Sequence, residues 1–330
     1  MFSSRARIIG GLAAVAVFAV SACSSSSSSS SSGTGATPAA STSTSASAST
    51  SASSNPLSGG GASGSVVVGS ANFPESELLA EVYVLALQAK GIKATAKLNI
   101  GAREAYYPQV EKGTITIFPE YNGSLLSGEV DKNTTAKTTA AVDAELAAKL
   151  PSSLEVLTPA SAVDSDSVTV TAATAAKYHL KTIADLKPYA ANMVLGAPPE
   201  FKTRSDGIAG LKATYGLTFK SFDPLDEAGP ITLAALQDGK VQAADVFTTT
   251  PAIISDHLVV LADPKANFAA QNVIPLVYKP AMNATIISVL NAISAKLTTD
   301  ALLQMDNAVI TLHANYSTVA SGFLQAEGLG

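Results

Sequence analysis

Short apolar runs and helical periodicities alternate along the chain from residue 65 onward. Residues 65–69 (SVVVG) form a continuous apolar run, which is typical of a strand buried on both faces. The next segment, NFPE from Asn72, marks a helix start, because proline fits the first turn and acidic side chains favour the positive end of the helix dipole. Apolar residues then recur at helical spacing, and Gly91 is predicted to end this helix.

Two further strands complete a first unit. The pattern predicts a strand over residues 94–100, a helix over 103–112 and a strand over 114–118. Strands that alternate with helices are typical of a parallel sheet covered by helices. Residues 65–118 are therefore predicted to form an α/β unit.

A second unit repeats this layout. It has predicted strands over 193–197, 219–222 and 241–247, and predicted helices over 207–215 and 231–236. The segments QVEKGTITIFPEYNGS and ALQDGKVQAADVFTTT each contain a helix end, a glycine turn, a strand, an aromatic residue and a hydroxyl cluster. We therefore expect two α/β lobes. The chain after a strand over 274–278 is helical by periodicity and is expected to pack back onto the first lobe.

The ends of two predicted strands carry candidate ligand groups. Tyr121 and Ser124 follow the third strand of the first unit, and Phe247, Thr248 and Thr249 follow the corresponding strand of the second. Ligands of open parallel sheets bind just beyond the carboxyl ends of the strands. If the lobes face each other, these side chains line one cleft.

The first 64 residues differ in kind from the rest. Residues 1–22 combine a basic start, an apolar run and small residues, which indicates a secretory signal peptide. The sequence VSAC ends at Cys23, the only cysteine, and resembles the lipobox of bacterial lipoproteins, which implies cleavage before Cys23 and lipid on its sulfur. An ordinary cleavage site beside a chance cysteine is the alternative. Residues 23–64 are predicted to be the lipidated cysteine followed by a disordered Ser/Thr/Ala/Gly linker.

Composition and motifs exclude several classes of function. The formal net charge is −5 and no Lys/Arg stripe is present, which argues against nucleic-acid binding. The three histidines, His179, His257 and His313, lack metal-ligand spacing, so we predict no metal and no cofactor. No nucleophile elbow, zinc-protease motif or phosphate loop is found, and we predict that the protein is not an enzyme.

Four segments carry a resemblance to a known family. They are GSANFPESELLAEVYVLALQAKG, LNIGAREAYYPQVEKGTITIFPEYNGSLL, GAPPEFKTRSDGIAGLKATYGL and ALQDGKVQAADVFTTTPAI. Together they resemble the substrate-binding proteins of osmoprotectant ABC importers, the glycine betaine, carnitine and choline binders of the quaternary-amine uptake class. The resemblance implies an α/β fold of the type II periplasmic-binding-protein class, with two lobes, a ligand cleft and two hinge crossovers. We place lobe 1 at 65–162 and 274–330, and lobe 2 at 163–273.

The resemblance also implies roles for individual residues. A quaternary ammonium has no N–H to donate and is recognised by aromatic faces. Tyr121 matches the tyrosine of the family's cage, Ser124 the hydroxyl that follows it, and Phe247 the aromatic of the second lobe. Arg204 matches the arginine that is expected to anchor the carboxylate of a betaine.

Three departures from the family pattern leave the ligand open. Asp166 stands at or beside a position that is often tyrosine, Gln271 and Asn272 replace an expected aromatic, and Ala71 replaces an occasional lysine. Asp166 could pair directly with a cation, which would suit choline or a hydrogen-bonding amine better than glycine betaine. Ergothioneine, an imidazole betaine, is a further alternative.

Most of these candidate residues could instead have a purely structural role. Tyr121 could be a core tyrosine, and Arg204 a surface partner of Asp206 or Glu200. Arg103 is either a ligand-side or inter-lobe group or a solvated helix end, and Asn72 either a ligand contact or a helix cap. The full set of predicted ligand residues is Tyr121, Ser124, Arg204, Phe247, Thr248, Asp166, Asn72 and Arg103.

The function predicted from the sequence is the binding of a small solute without any covalent change to it. The chain is expected to be an extracytoplasmic lipoprotein on the outer face of the cell membrane, which closes on a small quaternary amine or zwitterion and delivers it to an ABC permease with its ATPase. The alternatives are a binder of another small solute, a sensor receptor, or an enzyme that uses Glu200 and Asp166 as an acid/base pair. Neighbouring permease genes or turnover of a bound amine would discriminate among them.

Overall fold

Two five-stranded sheets organise the chain, and the computed structural model describes residues 65–330 of it. The predicted signal peptide at 1–22, the lipidation of Cys23 and the linker at 24–64 lie outside the described residues. The sheet that opens the described region, with the helices of its core, is called the first lobe below. The other sheet and its helices are called the second lobe.

The first sheet contains strands from both ends of the described region. Its strands are β1 (Val66–Gly69), β2 (Ala94–Lys97), β3 (Ile117–Tyr121), β4 (Leu154–Val156) and β10 (Val273–Tyr278). Their order is β2-β1-β3-β10-β4. Strands β1, β2 and β3 are parallel, as predicted, whereas β10 runs antiparallel to both of its neighbours. The sheet is mixed because β10 enters it from the second lobe.

The second sheet has the same layout. Its strands are β5 (Val168–Thr171), β6 (Val194–Ala197), β7 (Ser221–Pro224), β8 (Ala243–Asp245) and β9 (Leu258–Val260). The order β7-β6-β8-β5-β9 places a parallel trio beside β5, which is antiparallel to β8 and β9. The repeat that the sequence predicted is therefore present in the strand order of the two sheets.

Helices and shorter turns connect the strands. The α-helices are α1 (Pro74–Ala89), α2 (Arg103–Glu111), α3 (Asn122–Leu125), α4 (Thr139–Lys149), α5 (Ala172–Tyr178), α6 (Ile208–Tyr215), α7 (Pro230–Gln237), α8 (Ala252–Ser255), α9 (Ala284–Lys296), α10 (Thr299–Asp306) and α11 (Tyr316–Ala326). Turns of 3₁₀ helix lie at Ile183–Leu186, Ala190–Asn192, Pro199–Lys202 and Lys279–Ala281, and turns of π-helix at Leu126–Val130 and Asn307–Thr311.

The third predicted strand was displaced by three residues. The sequence placed it at 114–118, and it lies at Ile117–Tyr121. A proline inside a strand normally removes a ladder hydrogen bond. In the structure Pro119 lies opposite Pro275 of β10, so the two residues without an N–H share one ladder position.

The C-terminal helices belong to the first lobe, as predicted. Ile286 of α9, Leu302 of α10 and Phe323 of α11 lie in the same hydrophobic core as Val68 of β1 and Leu79 of α1. The second lobe has separate core clusters around its own sheet. Within residues 65–330, no single helix is long and apolar enough to cross a membrane. The pair Ala284–Lys296 and Thr299–Thr311 would pass that test together, although the two are bent by 89°.

The chain passes between the lobes twice, once between β4 and β5 and once between β9 and β10. The two crossing segments touch each other through an isolated antiparallel bridge between Val163 and Asn272. The Val273 amide also donates to the carbonyl of Ala162 at 3.0 Å. These segments contain the positions predicted for the crossovers, while the lobe boundaries at 162 and 273 stay a prediction.

Candidate functional site

A small cavity of about 40 Å³ lies where the two lobes and the crossing segments meet. We call it the cleft. The first lobe contributes Ala71, Phe73, Arg103, Tyr106, Tyr121 and Ser124; the second contributes Arg204, Glu227 and Phe247; and the crossing segments contribute Asp164, Asp166 and Gln271. Most of these residues follow strand ends, so the cleft lies at the edge that the sequence pattern indicated.

Three aromatic rings form one side of the cleft, here called the aromatic wall. Phe73 precedes α1, Tyr121 ends β3 and Phe247 follows β8. The ring centroids of Phe73 and Tyr121 are 6.1 Å apart, and those of Phe73 and Phe247 are 5.1 Å apart in an edge-to-face arrangement. Aromatic rings along one side of a cleft can contact a cation that has no hydrogens to donate.

Phe73 was missed in the sequence as a residue that lines the cleft. The segment NFPE was interpreted as a helix start, and α1 does begin at Pro74. Phe73 is its N-cap residue and makes no side-chain cap bond, and its ring is buried in the cleft instead. The position of Phe73 beyond the carboxyl end of a parallel strand was the feature that could have identified it.

A buried pair of carboxyl groups lies behind Tyr121. The Tyr121 hydroxyl donates to Glu75 Oε1, and Thr249 Oγ1 of the second lobe donates to Glu75 Oε2 at 2.7 Å. The Asp306 carboxyl lies beside that of Glu75, and its Oδ1 atom is buried without a hydrogen-bond partner among the described residues. Burial and the adjacent Asp306 raise the pKa of Glu75 well above its usual range, and burial raises the pKa of Asp306 to about 7. The pair therefore retains at least one proton at neutral pH and does not carry two negative charges.

This pair predicts a pH dependence of stability. Asp306 stays protonated in the native state up to about pH 7, whereas in the unfolded chain it ionises near its usual value of 3.8. Between these values the native state binds more protons, so stability falls as the pH rises, by on the order of 1 kcal/mol per pH unit. We expect Asp306→Asn to flatten this fall, as measured by urea unfolding at pH 5, 6 and 7. Equal slopes in the two proteins would contradict the raised pKa of Asp306.

Arg103 is buried beside the cleft rather than solvated. Its Nε and Nη2 donate to Glu120 Oε1 and Oε2 at 2.8 and 3.2 Å. Glu120 also accepts the Tyr106 hydroxyl and, at 2.7 Å, the Tyr121 amide. Glu120 is completely buried and Arg103 is 8% exposed. The pair fixes the end of β3, where Tyr121 enters the aromatic wall, and a solvated helix end is excluded for Arg103.

Arg204 crosses between the lobes. Its Nε and Nη2 donate to Glu104 Oε1 and Oε2 of α2 at 3.2 and 3.3 Å, whereas the sequence had offered Asp206 or Glu200 as ion-pair partners. Ser127 Oγ of the first lobe donates to Asp206 Oδ2 at 2.9 Å. These contacts hold the lobes together on one side of the cleft.

Asp166 is positioned by the residue that replaces an expected aromatic. The Asp166 amide donates to Gln271 Oε1 at 2.6 Å, and Gln271 Nε2 donates to Asp166 Oδ2 at 2.8 Å and to Ser124 Oγ. Ser124 Oγ also lies 3.4 Å from Asp166 Oδ2. In the sequence analysis Gln271 was noted only because it replaces an expected aromatic residue. In the structure it connects the two crossing segments and orients a carboxylate in the cleft.

Close backbone packing explains why position 123, in the segment EYNGS, is a glycine. A Cβ atom at this position would lie 2.2 Å from the backbone oxygen of Ala270, in the second crossing segment. Only glycine allows α3 to approach that segment so closely. The approach brings Ser124 within reach of Gln271.

The charges that line the cleft are unequally compensated. Arg103 and Arg204 each form a bidentate ion pair. Among residues 65–330, no salt bridge involves Asp164, Asp166 or Glu227. Burial raises the pKa of Asp164 well above its usual range and that of Glu227 to about 7. These carboxyl groups therefore tend to keep their protons in the cleft, and a ligand with a positively charged group would stabilise their ionised forms.

Two predicted residues lie apart from the rest. Asn72 is exposed and does not line the cleft, and it does not cap α1. Thr248 is exposed and accepts the Ser165 amide at 2.8 Å, while its neighbour Thr249 is the buried partner of Glu75. The other six predicted residues come together in the cleft: Tyr121, Ser124, Arg204, Phe247, Asp166 and Arg103. Within the described part of the chain, no group of three His, Cys, Asp or Glu side chains could hold a metal ion.

Comparison with known proteins identifies relatives of the whole described region. Residues 64–326 match the family model described as the substrate-binding domain of the ABC-type glycine betaine transport system. The glycine betaine-binding protein YehZ of Escherichia coli (strain K12) is 27% identical over 280 residues, which are 81% of this chain and 92% of YehZ. The ergothioneine transport permease/ergothioneine binding protein EgtU of Helicobacter pylori (strain G27) is 24% identical over 270 residues. Those are 80% of this chain, which spans 48% of EgtU.

Solved structures confirm the fold. A crystal structure of a glycine betaine/carnitine/choline ABC transporter aligns with a TM-score of 0.63 and 23% identity, over 80% of this chain and 99% of that one. Lactococcal OpuAC in its closed, glycine betaine-bound form aligns with a TM-score of 0.59 and 15% identity, over 80% and 96%. The predicted type II periplasmic-binding-protein fold with two α/β lobes is confirmed by these likenesses.

Proposed function

The chain belongs to the family of substrate-binding domains of ABC-type glycine betaine transport systems, and we propose on this basis that it captures a small quaternary amine between its lobes. The observation that carries the proposal is the aromatic wall of Phe73, Tyr121 and Phe247, which faces a cleft with uncompensated carboxyl groups. Ring faces suit the methylated nitrogen, and the carboxyl groups stabilise its charge.

The opposite end of the ligand has candidate partners in the two arginines. Among the described residues, Nη1 of Arg103 and Nη1 of Arg204 have no hydrogen-bond partner, while both guanidinium groups line the cleft. In this proposal they donate to a carboxylate or hydroxyl group of the ligand, and Ser124 contributes a hydroxyl. Binding and release then require lobe motion and no covalent change.

We also propose partner proteins and a cellular location for the chain. The captured amine is handed to an ABC permease with its ATPase, outside the cytoplasm, as the family assignment supports. Lipid on Cys23 would hold the protein at the outer face of the cell membrane. Cys23→Ser should move the protein from the membrane fraction to the soluble extracytoplasmic fraction. Equal membrane retention of the variant would contradict lipid anchoring at this residue.

A thermal-shift screen of the purified protein tests the function. The panel contains glycine betaine, choline, carnitine, proline betaine, ergothioneine, polyamines and amino acids. We expect the unfolding temperature to rise with the concentration of at least one quaternary amine, because a ligand that binds only the native state stabilises it. No response to any quaternary amine, with a response to another compound, would overturn the proposal. Turnover of a bound amine would indicate an enzyme instead.

The contribution of Arg204 to ligand binding can be separated from the contribution of its ion pair with Glu104. We expect Arg204→Ala to weaken glycine betaine binding by about ten-fold or more, because it removes a charged donor to the carboxylate as well as the inter-lobe pair. Glu104→Gln removes only the pair and should change affinity much less. Calorimetric titration of both variants gives the comparison. Equal losses in the two variants would mean that Arg204 acts only between the lobes.

A further inference from the structure

A second, larger cavity lies directly behind the aromatic wall, with a volume of about 280 Å³ against 40 Å³ for the cleft. We call it the side cavity. It also lies between the lobes: Pro74 and Val309 of the first lobe and Leu233 and Ala252 of the second line it. Its volume is too large to be a packing defect, since voids in protein cores rarely exceed the size of a water molecule.

The side cavity is continuous with the cleft in its lining. Phe73, Phe247 and Glu227 border both cavities. The edge-to-face contact of Phe73 with Phe247 forms the partition between them. Phe247 is only half-buried, so rotation of its side chain would join the two spaces at modest cost.

Most of the surface of the side cavity is apolar. Its walls include Pro230, Leu233, Val309 and Ile310 in addition to the two phenylalanine rings. The polar part of the lining comprises Glu75, Asp306, Glu227 and His313, and Glu75 accepts hydrogen bonds from Tyr121 and Thr249. An apolar group placed against the apolar walls gains from leaving water.

From these observations we propose that the natural ligand is a quaternary amine that carries an apolar substituent, with its charged head in the cleft and its substituent in the side cavity. The inference rests on the proposed function and refines its substrate class. The cleft alone has room for little more than a compact head group. Since both lobes line the side cavity, an apolar substituent would also be enclosed by lobe closure, and it would strengthen the closed state.

A homologous series of ligands tests this proposal. Calorimetric titration compares tetramethylammonium with the ethyl-, butyl- and hexyltrimethylammonium ions. We expect affinity to rise by about three- to four-fold for each added methylene that reaches the side cavity. Choline should displace the hexyl compound, because the two share the head-group site.

Two tryptophan variants on α8 provide the matched comparison. Ala252→Trp fills the side cavity and should abolish the gain along the series without changing the affinity for tetramethylammonium. Ile254→Trp adds the same bulk at a position that is 75% exposed and should behave as the unaltered protein does.

The outcomes separate the two proposals. Binding of tetramethylammonium or choline without a gain along the series would overturn this inference and leave the proposed function intact. A gain that persists in Ala252→Trp, or a hexyl compound that choline does not displace, would also overturn it. Failure of every quaternary amine to bind would overturn both.

Discussion

Replacing Glu120 with alanine is expected to lower the free energy of unfolding by about 3–5 kcal/mol, because it leaves the buried Arg103 guanidinium without its counter-charge. The same change removes the acceptor for the Tyr106 hydroxyl and for the Tyr121 amide. Urea unfolding monitored by circular dichroism measures the loss.

A matched control uses the other arginine of the cleft. Glu104 pairs with Arg204, but its side chain is 45% exposed. Glu104→Ala should therefore cost about 1 kcal/mol or less, as exposed ion pairs do. If Glu120→Ala and Glu104→Ala lowered the free energy of unfolding by the same small amount, the buried ion pair would not stabilise the end of β3.

Truncation of a side chain in the aromatic wall is expected to weaken ligand binding strongly. Tyr121→Ala and Phe73→Ala should each weaken binding of a quaternary amine by roughly 1–2 kcal/mol or more, because each removes a desolvated ring face from the cation. Tyr121→Phe keeps the face and should retain most of the affinity. Calorimetric titration with the best ligand of the thermal-shift screen measures these changes.

A remote aromatic pair controls for general damage. Tyr178 and Tyr189 pack with ring centroids 4.6 Å apart in the second lobe and do not line the cleft. Tyr189→Ala should leave affinity unchanged, even if it lowers the unfolding temperature. Equal affinity in Tyr121→Ala and in the unaltered protein would remove Tyr121 from the site.

The sequence was sufficient for the fold and for the location of the cleft. Its alternating apolar runs predicted both parallel trios of strands, and the side chains after β3 and β8 predicted the edge where the cleft lies. Local patterns carry this information, because burial and periodicity are set within a few residues.

Contacts between distant elements could not be predicted in this way. Glu75 and Asp306 lie on different helices at opposite ends of the described region, and nothing in either segment indicates that their carboxyl groups meet. Gln271 appeared only as an absent aromatic, although it orients Asp166. The antiparallel entry of β10 was also missed, since strand direction depends on which lobe the chain returns from.

Selection of a methylated nitrogen by the aromatic wall can be tested with one pair of titrations. Calorimetry with the purified protein compares choline with ethanolamine, which differ only in the three methyl groups on nitrogen. The aromatic wall predicts that choline binds at least about ten-fold more tightly, because ethanolamine must give up hydrogen bonds to water that ring faces do not replace. Equal or tighter binding of ethanolamine would show that the carboxyl groups, and not the aromatic wall, select the ligand.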